Sequence, residues 1–148
     1  MHLVSQNPQD TLAIAATLAR RFLAAMAGRT SALVVALEGE LGAGKTALVQ
    51  GIAETLGVRE RPRSPTFNLA KEYGIPDTPY RLWHMDCYRL SGHTDLASLD
   101  IARIWADPTA LVLVEWAQRV QEVLPRDHVT IHMTHEGGDK RGITVSES

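Results

Sequence analysis

The chain has 148 residues, a formal charge of -2 and 45% hydrophobic residues, and this size and composition predict one globular domain over residues 1–148. The nearly balanced charge excludes a broad basic surface, so we expect any contact with RNA to be indirect. The lone Cys87 excludes an internal disulfide, and the absence of a signal-like amino terminus or a long apolar span predicts a cytoplasmic protein without membrane contact.

The first predicted element is an amphipathic helix over residues 11–23, where apolar residues recur at helical spacing. Pro8 and Asp10 stand just before this stretch and are typical of a helix start. We expect the helix to end near Gly28.

A glycine-rich loop follows the apolar, strand-like residues 33–37. It fits the phosphate-loop pattern G-x-x-x-x-G-K-S/T at every position, with Gly39, Glu40, Leu41, Gly42, Ala43, Gly44, Lys45 and Thr46. A helix-like stretch then runs from Lys45 to about Leu56 and stops at Gly57. Glycines let backbone N–H groups turn inward, and a helix start adds unpaired N–H groups and a positive dipole end. The order of strand, loop and helix therefore predicts a phosphate site.

Lys45 and Thr46 have the chemistry to bind a nucleotide together with magnesium. The Lys45 ammonium is a mobile charge that can span the β- and γ-phosphates, and the Thr46 hydroxyl can ligate Mg²⁺. The alternative interpretation is a glycine-rich turn that binds no ligand.

Two strand-like stretches come next, residues 66–73 and 80–86, joined by the turn-prone residues 74–79. We expect them to pair as a hairpin or to lie as near neighbours. The hydroxyls of Ser64 and Thr66 resemble a switch element that meets the γ-phosphate or Mg²⁺. An ordinary turn before a strand is the alternative.

Asp86 stands at the end of the second of these stretches. Alternation places His84 and Asp86 on one face of the strand, opposite Met85 and Cys87. Asp86 can act as a water-positioning acid with His84 as an orienting imidazole. Alternatively, the two side chains form a buried hydrogen-bonded pair near Arg89. Cys87 is expected to be a small buried residue, because nothing in the sequence around it activates its thiol.

Residues 94–102 show helical spacing and predict a short helix, and the continuous apolar run 111–114 predicts a strand buried on both faces. Glu115 ends that strand, and ligands of open α/β sheets bind outside the carboxyl ends of strands. Its carboxylate can hold Mg²⁺ directly, hold it through water, or orient the attacking water. A polar residue that only marks the strand boundary is the alternative.

The carboxyl-terminal part predicts a helical turn or two over residues 120–124 and a hairpin of residues 129–133 and 143–145. Lys140 and Arg141 near its tip can reach a phosphate or can simply be exposed. Together the elements predict an α/β fold of the phosphate-loop NTPase type, with a mixed, mainly parallel central sheet flanked by helices and a terminal β-hairpin.

Three histidines near the end of the chain raise the question of a metal site: His128, His132 and His135. On a strand His132 and His135 face opposite sides, and no cysteine or carboxylate cluster completes a ligand set. The sequence therefore does not predict a zinc site.

Four motifs, read in chain order, resemble those of the bacterial TsaE (YjeE) family of small ATPases. They are the phosphate loop, Ser64-Pro65-Thr66-Phe67, His84-Met85-Asp86-Cys87-Tyr88-Arg89 and Val114-Glu115-Trp116. The phosphate loop is common to many NTPases, whereas the H-x-D-x-Y-R and V-E-W motifs are far more specific. The resemblance extends over nearly the full chain.

This resemblance implies a role in making N6-threonylcarbamoyladenosine in tRNA. In that family the ATPase associates with the TsaB–TsaD pair and supports its repeated turnover, without transferring the threonylcarbamoyl group itself. Contact with tRNA would occur only through the complex. Because no arginine lies in the loop or directly beside Glu115, we expect slow hydrolysis by the isolated chain and activation by partners.

The resemblance also implies roles for individual residues. ATP contacts fall on Thr11 and residues 39–46, Mg²⁺ ligands fall on Thr46 and Glu115, and the acid of the third motif falls on Asp86. Lys45, Asp86 and Glu115 form the expected catalytic set. One departure is visible: Trp116 is followed by Ala117-Gln118-Arg119, where relatives commonly have a proline and an acidic residue. This departure from the family pattern bears on the local contacts with partner proteins and not on the role assigned to Glu115.

Three other functions are compatible with a phosphate loop. A small-molecule kinase usually needs an arginine-bearing lid and a substrate pocket, for which 148 residues leave little room. A GTP-binding switch is disfavoured because the guanine-reading N-K-x-D motif is absent from the sequence. A nucleotide-binding regulator without hydrolysis stays open.

Overall fold

A computed structural model describes residues 1–60, 62, 70–88 and 100–147 of the chain. Several predictions fall on the remaining residues. Ser64, Thr66 and Arg89 lie outside the described ranges, as do residues 66–69 of the strand predicted over 66–73 and most of the helix predicted over residues 94–102.

The described residues alternate between strands and helices, as an α/β fold requires. In chain order the elements are β1 (His2–Ser5), α1 (Pro8–Met26), β2 (Leu33–Gly39), α2 (Lys45–Thr55), β3 (Ala70–Gly74), β4 (Arg81–Asp86), α3 (Ile101–Ala106), β5 (Ala110–Glu115), the 3₁₀ turns Ala117–Arg119 and Gln121–Val123, β6 (Val129–His135) and β7 (Arg141–Glu147). In these ranges none of the helices has the combined length and hydrophobicity needed to cross a bilayer.

The seven described strands form one sheet in the order β1-β7-β6-β2-β5-β4-β3. The central strands β6, β2, β5 and β4 are parallel, whereas β3–β4, β6–β7 and β1–β7 pair antiparallel. The predicted mixed sheet and both hairpins are therefore confirmed, but "mainly parallel" holds only for the centre of the sheet. The two hairpins and β1 make its outer parts antiparallel.

Two differences from the predicted elements lie near the amino terminus. The strand β1 was not predicted, because it has no alternation of apolar residues and buries only Ser5; it forms through backbone pairing with β7. The helix α1 begins earlier than predicted, at Pro8, because the Asn7 side chain caps it by accepting a hydrogen bond from the Asp10 backbone N–H at 2.9 Å.

The hydrophobic core lies on both faces of the sheet. Alternate residues of β2 point to opposite sides, so that Leu33, Val35 and Leu37 pack with α1 and α2, while Val34 and Ala36 pack on the side of α3. All six residues of β5 are buried, which confirms the prediction of a strand covered on both faces. The parallel centre of the sheet is thus shielded from water on both sides.

The helices α1 and α2 pack together at a glycine. A Cβ atom on Gly51 would lie 2.7 Å from the Cβ of Ala15 and 3.2 Å from Cδ2 of Leu12. Both distances are shorter than a normal carbon–carbon contact of about 3.5–4.0 Å. The helix crossing therefore requires a residue without a side chain at this position.

We predict that Gly51→Ala destabilises the fold. Alanine favours a helix by about 1 kcal/mol over glycine, but overpacking a tight contact typically costs about 1–3 kcal/mol. Because the Ala15 contact is much too short, we expect a net loss of about 1–2 kcal/mol in the free energy of unfolding. Urea denaturation followed by circular dichroism measures it.

The matched control is the double variant Ala15→Gly with Gly51→Ala. Removing the Ala15 methyl relieves the clash, so the double variant should be more stable than the sum of the two single effects predicts. A Gly51→Ala variant that is more stable than the parent would contradict the assigned contact.

Candidate functional site

The glycine loop connects the end of β2 to the start of α2, and its backbone needs glycine. Gly39 and Gly44 have φ values of 147° and 102°. A Cβ atom on Gly39 would also lie 2.5 Å from the backbone oxygen of Met133 in β6. Substitution at Gly39 is therefore excluded both by conformation and by the neighbouring strand. Within the loop Ala43 is buried and Leu41 is 77% exposed.

Lys45, the first residue of α2, is buried although it carries an ammonium group. Its Nζ donates hydrogen bonds to the backbone oxygens of Gly39 at 2.7 Å and Glu40 at 2.9 Å. The same atom lies 4.1 Å from the ring centroid of Trp116, a cation–π contact. Burial lowers the pKa of Lys45, and the negative charges of Glu115 and Asp86 partly oppose this shift.

Glu115 lies beside the loop because of the strand register. The parallel β2–β5 pairing sets Leu37 opposite Glu115, and the parallel β4–β5 pairing sets Asp86 opposite Glu115. The side chains of Thr46 and Glu115 meet directly: the Thr46 hydroxyl donates to Oε1 of Glu115 at 2.9 Å. Residues far apart in the sequence thus converge at the start of α2.

The oxygen atoms of Thr46 and Glu115 are suitable ligands for magnesium. Mg²⁺ prefers oxygen ligands, typically one or two protein groups together with phosphate and water. A hydroxyl and a carboxylate that already lie within hydrogen-bond distance can share one such cation. The chemistry of these donors therefore fits Mg²⁺.

His84 is fully buried and contacts Glu115 rather than Asp86. Its Nε2 lies 2.5 Å from Oε2 of Glu115. Asp86 is half-buried, and its Oδ1 accepts a hydrogen bond from the backbone N–H of Tyr88 at 3.0 Å. Because Glu115 also contacts Thr46 in α2, its contact with His84 places His84 on the face of the sheet that α1 and α2 cover. Met85 and Cys87 belong to the core cluster on the opposite face, which α3 covers. The described residues contain no hydrogen bond between His84 and Asp86.

Trp116 is a site residue whose conformation the sequence does not signal. Its φ of 58° is unusual for a bulky residue and turns the chain sharply after Glu115. The Trp116 ring packs against Tyr88 with centroids 4.8 Å apart, and the Arg119 guanidinium lies 5.4 and 5.6 Å from the Tyr88 and Trp116 centroids. Lys45 and Arg119 therefore both contact this aromatic pair.

A cavity of about 760 Å³ lies next to the loop and brings Thr11 close to Gly44. Its wall includes Thr11, Leu12, Gly44, Ala47, Gln50 and Arg141. The Thr11 hydroxyl is buried and hydrogen-bonds the Ser5 hydroxyl at 2.6 Å. The start of α1 therefore contributes to the same space as the start of α2.

The carboxyl-terminal histidines contact separate partners. His132 Nδ1 lies 3.8 Å from a Glu38 carboxylate oxygen, His135 Nε2 lies 2.8 Å from the Gly138 backbone oxygen, and His128 Nδ1 lies 2.7 Å from the Pro125 backbone oxygen. Across the part of the chain that the structure describes, no three His, Cys, Asp or Glu side chains are grouped to hold a metal ion.

Cys87 is fully buried beside the site. Burial, with a smaller contribution from the charge of Asp86, raises the pKa of its thiol to about 12. Only the thiolate is a nucleophile, so this environment makes Cys87 unreactive.

Comparison with known proteins shows similarity over almost the whole chain. Residues 5–143 match the family model for TsaE, described as threonylcarbamoyl adenosine biosynthesis protein TsaE. The chain is 39% identical over 140 residues to the tRNA threonylcarbamoyladenosine biosynthesis protein TsaE of Bacillus subtilis, covering 95% of this chain and 81% of that protein. It is 38% identical over 146 residues to the protein of the same description from Treponema pallidum, covering 99% and 100%.

A solved structure is also similar. The crystal structure of YdiB from Bacillus subtilis matches with a TM-score of 0.74 and 33% sequence identity, covering 99% of this chain and 84% of that one. The similarity therefore extends from sequence motifs to the three-dimensional fold.

We predict that Cys87 resists alkylation in the folded chain. Raising the pKa from 9.0 to about 12 lowers the thiolate fraction at pH 8 roughly a thousand-fold, and burial also blocks access. Mass spectrometry after timed exposure to iodoacetamide, with and without denaturant, measures the two rates. Similar rates in the folded and denatured chain would contradict the buried environment.

Proposed function

We propose that this chain, which belongs to the TsaE family of threonylcarbamoyl adenosine biosynthesis proteins, is a Mg²⁺-dependent ATPase that supports formation of N6-threonylcarbamoyladenosine in tRNA. The observation that carries the proposal is the convergence of Lys45, Thr46 and Glu115 at the start of α2. A cation for phosphate and two oxygen ligands for a metal lie beside a glycine loop and a helix N-terminus. Binding of a nucleoside triphosphate with its metal ion requires this combination of groups.

The loop and α2 bind the phosphates in this proposal. The Lys45 ammonium neutralises phosphate charge, and the backbone N–H groups of Gly42, Gly44, Lys45 and Thr46 can donate hydrogen bonds to the anionic oxygens. To do so Lys45 exchanges its hydrogen bonds to the Gly39 and Glu40 backbone oxygens for bonds to phosphate. The succession of β2, loop and α2, with β5 parallel to β2, supports assignment to the phosphate-loop NTPase fold.

Thr46 and Glu115 are the proposed Mg²⁺ ligands. When bound, Mg²⁺ neutralises the charge that develops on the phosphate oxygens. Asp86 is half-buried opposite Glu115 and is the proposed residue that positions the attacking water. The two carboxylates therefore have different tasks, one at the metal and one at the nucleophile.

The cavity beside Gly44 is the proposed site of the adenosine part. It lies next to the phosphate loop and has an apolar wall in which Leu12 and Ala47 take part, while Thr11 and Gln50 supply polar groups. Mainly apolar pockets with a few polar groups are typical of small-molecule sites. Thr11 is thereby assigned to nucleotide binding.

Hydrolysis by the isolated chain is proposed to be slow. The Arg119 guanidinium lies against the rings of Tyr88 and Trp116. A partner that supplies an arginine can raise turnover by roughly 10³–10⁵-fold in phosphate-loop enzymes. A partner can instead act by ordering the site. The motifs shared with the family point to the TsaB–TsaD pair as that partner, with tRNA reached only through the complex.

We predict that ATP hydrolysis by this chain is slow alone, is accelerated by the TsaB–TsaD pair, and is lost in Lys45→Ala. Each charge-assisted contact to phosphate is worth about 1.5–3 kcal/mol, so ATP affinity should fall at least about ten-fold. Phosphate release and isothermal titration calorimetry measure the two effects.

The matched control is Lys71→Ala, which removes an exposed lysine paired with Glu60 on the surface. It should leave ATP affinity and hydrolysis unchanged. Unchanged hydrolysis in Lys45→Ala would remove the loop from the mechanism, and ATP binding without hydrolysis in the presence of the partner pair would favour the regulator alternative.

We also predict that Glu115→Gln and Asp86→Asn differ in their response to Mg²⁺. Both should lose hydrolysis and keep the fold, because each replacement has nearly the same shape. Glu115→Gln removes a metal ligand, so its ATP affinity should no longer depend on Mg²⁺, whereas Asp86→Asn should keep that dependence. Titrations with and without Mg²⁺ measure it.

Glu38→Gln is the control for this pair. Glu38 lies near the end of β2, but in the described part of the chain its carboxylate accepts a hydrogen bond from Gln121 and not from the residues of the site. It should behave as the parent in both titrations. Parental hydrolysis in Glu115→Gln and Asp86→Asn would contradict the assignment of the two carboxylates.

A further inference from the structure

The carboxylate of Glu115 is held at both oxygens, by two different elements of the fold. Oε1 accepts a hydrogen bond from the Thr46 hydroxyl in α2 at 2.9 Å, and Oε2 lies 2.5 Å from Nε2 of His84 in β4. The side chains of Glu115 and His84 are 2% and 0% exposed. The contact with His84 is therefore shielded from water, whereas the contact with Thr46 is partly buried.

The partners decide which ring nitrogen of His84 carries the proton. An ionised carboxylate only accepts hydrogen bonds, so the donor to Glu115 is Nε2–H of the imidazole. The remaining ring nitrogen, Nδ1, is buried and has no hydrogen-bond partner among the described residues. A buried polar atom without a partner is unusual in a folded protein and needs an explanation.

A residue that only filled the core would not need this imidazole. Apart from His84 and Glu115, the buried residues of β4 and β5 on this face are apolar: Leu82, Leu111 and Leu113. A leucine or methionine in place of His84 would avoid the unpartnered Nδ1, since neither has a buried polar atom to satisfy. The hydrogen bond to Glu115 is the feature that such a residue lacks.

We propose that His84 is a positioning residue that fixes the Glu115 carboxylate for metal binding. This inference rests on the proposed function, in which Glu115 and Thr46 hold Mg²⁺. Because Oε2 is bonded to His84, Oε1 is directed toward Thr46 at the start of α2. Without that bond the carboxylate can rotate about its terminal torsion. Oε1 of Glu115 and the Thr46 hydroxyl are then no longer directed at the same metal position. Groups that orient metal ligands in this way typically account for 10–100-fold in metal affinity.

The test compares His84→Gln with His84→Met in the full chain. The two side chains are unbranched and similar in size, but only glutamine has an N–H group near the position of Nε2. Calorimetry with a non-hydrolysable ATP analogue, with and without Mg²⁺, gives the enhancement of affinity that Mg²⁺ produces. We expect His84→Met to reduce this enhancement at least ten-fold, and His84→Gln to restore most of it. Affinity for the Mg²⁺-free analogue should change little in either variant.

His132→Met is the matched control. His132 is also a strand histidine beside a glutamate, Glu38, but its side chain is 52% exposed and it lies outside the proposed metal site. It should keep the parental Mg²⁺ enhancement. A folded His84→Met variant with that same enhancement would overturn the positioning role alone. A parent chain whose nucleotide affinity does not respond to Mg²⁺ would overturn the proposed function together with this inference.

A second measurement reads the protonation of His84 in the unmodified chain, and a variant serves only to assign the signals. Two-bond ¹H–¹⁵N spectra identify the protonated nitrogen of each imidazole, and the His84 signals are those missing in His84→Gln. We expect His84 to be protonated at Nε2, with that proton shifted by hydrogen bonding and altered in Glu115→Gln. Protonation at Nδ1 instead would overturn the inference, because Nε2 could not then donate to Glu115.

Discussion

The buried carboxylate of Glu115 is the group on which the geometry of the site depends. Taking a carboxylate out of water costs several kcal/mol unless it is hydrogen-bonded or paired with opposite charge. Here the Thr46 hydroxyl and the His84 imidazole contact its two oxygens, and Lys45 contributes a positive charge nearby. These partners belong to α2 and β4, which both precede β5 in the sequence. The carboxylate can be buried only because the parallel register of β5 between β2 and β4 brings them together.

Close approach of backbone and side chains holds the loop from both ends. Gly39 lies against the backbone of Met133 in β6, so that the loop begins directly on the sheet. Further along, Gly51 lets α2 approach Ala15 of α1, and this crossing brings Thr11 to the cavity beside Gly44. Glycine therefore has two different physical tasks here. In the loop it permits an unusual backbone conformation, and in α2 it removes a side chain that would separate two helices.

The turn after β5 connects Glu115, the proposed metal ligand, with Lys45, the proposed phosphate ligand. Trp116 directly follows Glu115 in the sequence, and its positive φ directs its ring toward the Lys45 ammonium. The strain of this conformation, typically about 1–3 kcal/mol, requires compensation from surrounding contacts. The packing of Tyr88 on the ring and the cation–π contact of Lys45 supply it. Tyr88 and Arg119 are exposed, so this aromatic pair lies at the edge where the proposed site meets solvent.

The sequence by itself determined the features that rest on local patterns. They are the strand–loop–helix unit that contains Lys45 and Thr46, the buried strand ending at Glu115, the two hairpins and the shared face of His84 and Asp86. Each follows from periodicity, glycine placement or a motif read over a few residues. Only the tertiary structure decided that His84 contacts Glu115 instead of Asp86, that Trp116 lies against Lys45, and that β1 pairs with β7. These contacts join residues 31, 71 and about 140 positions apart, and they depend on strand register and on one strained turn, which no local pattern encodes.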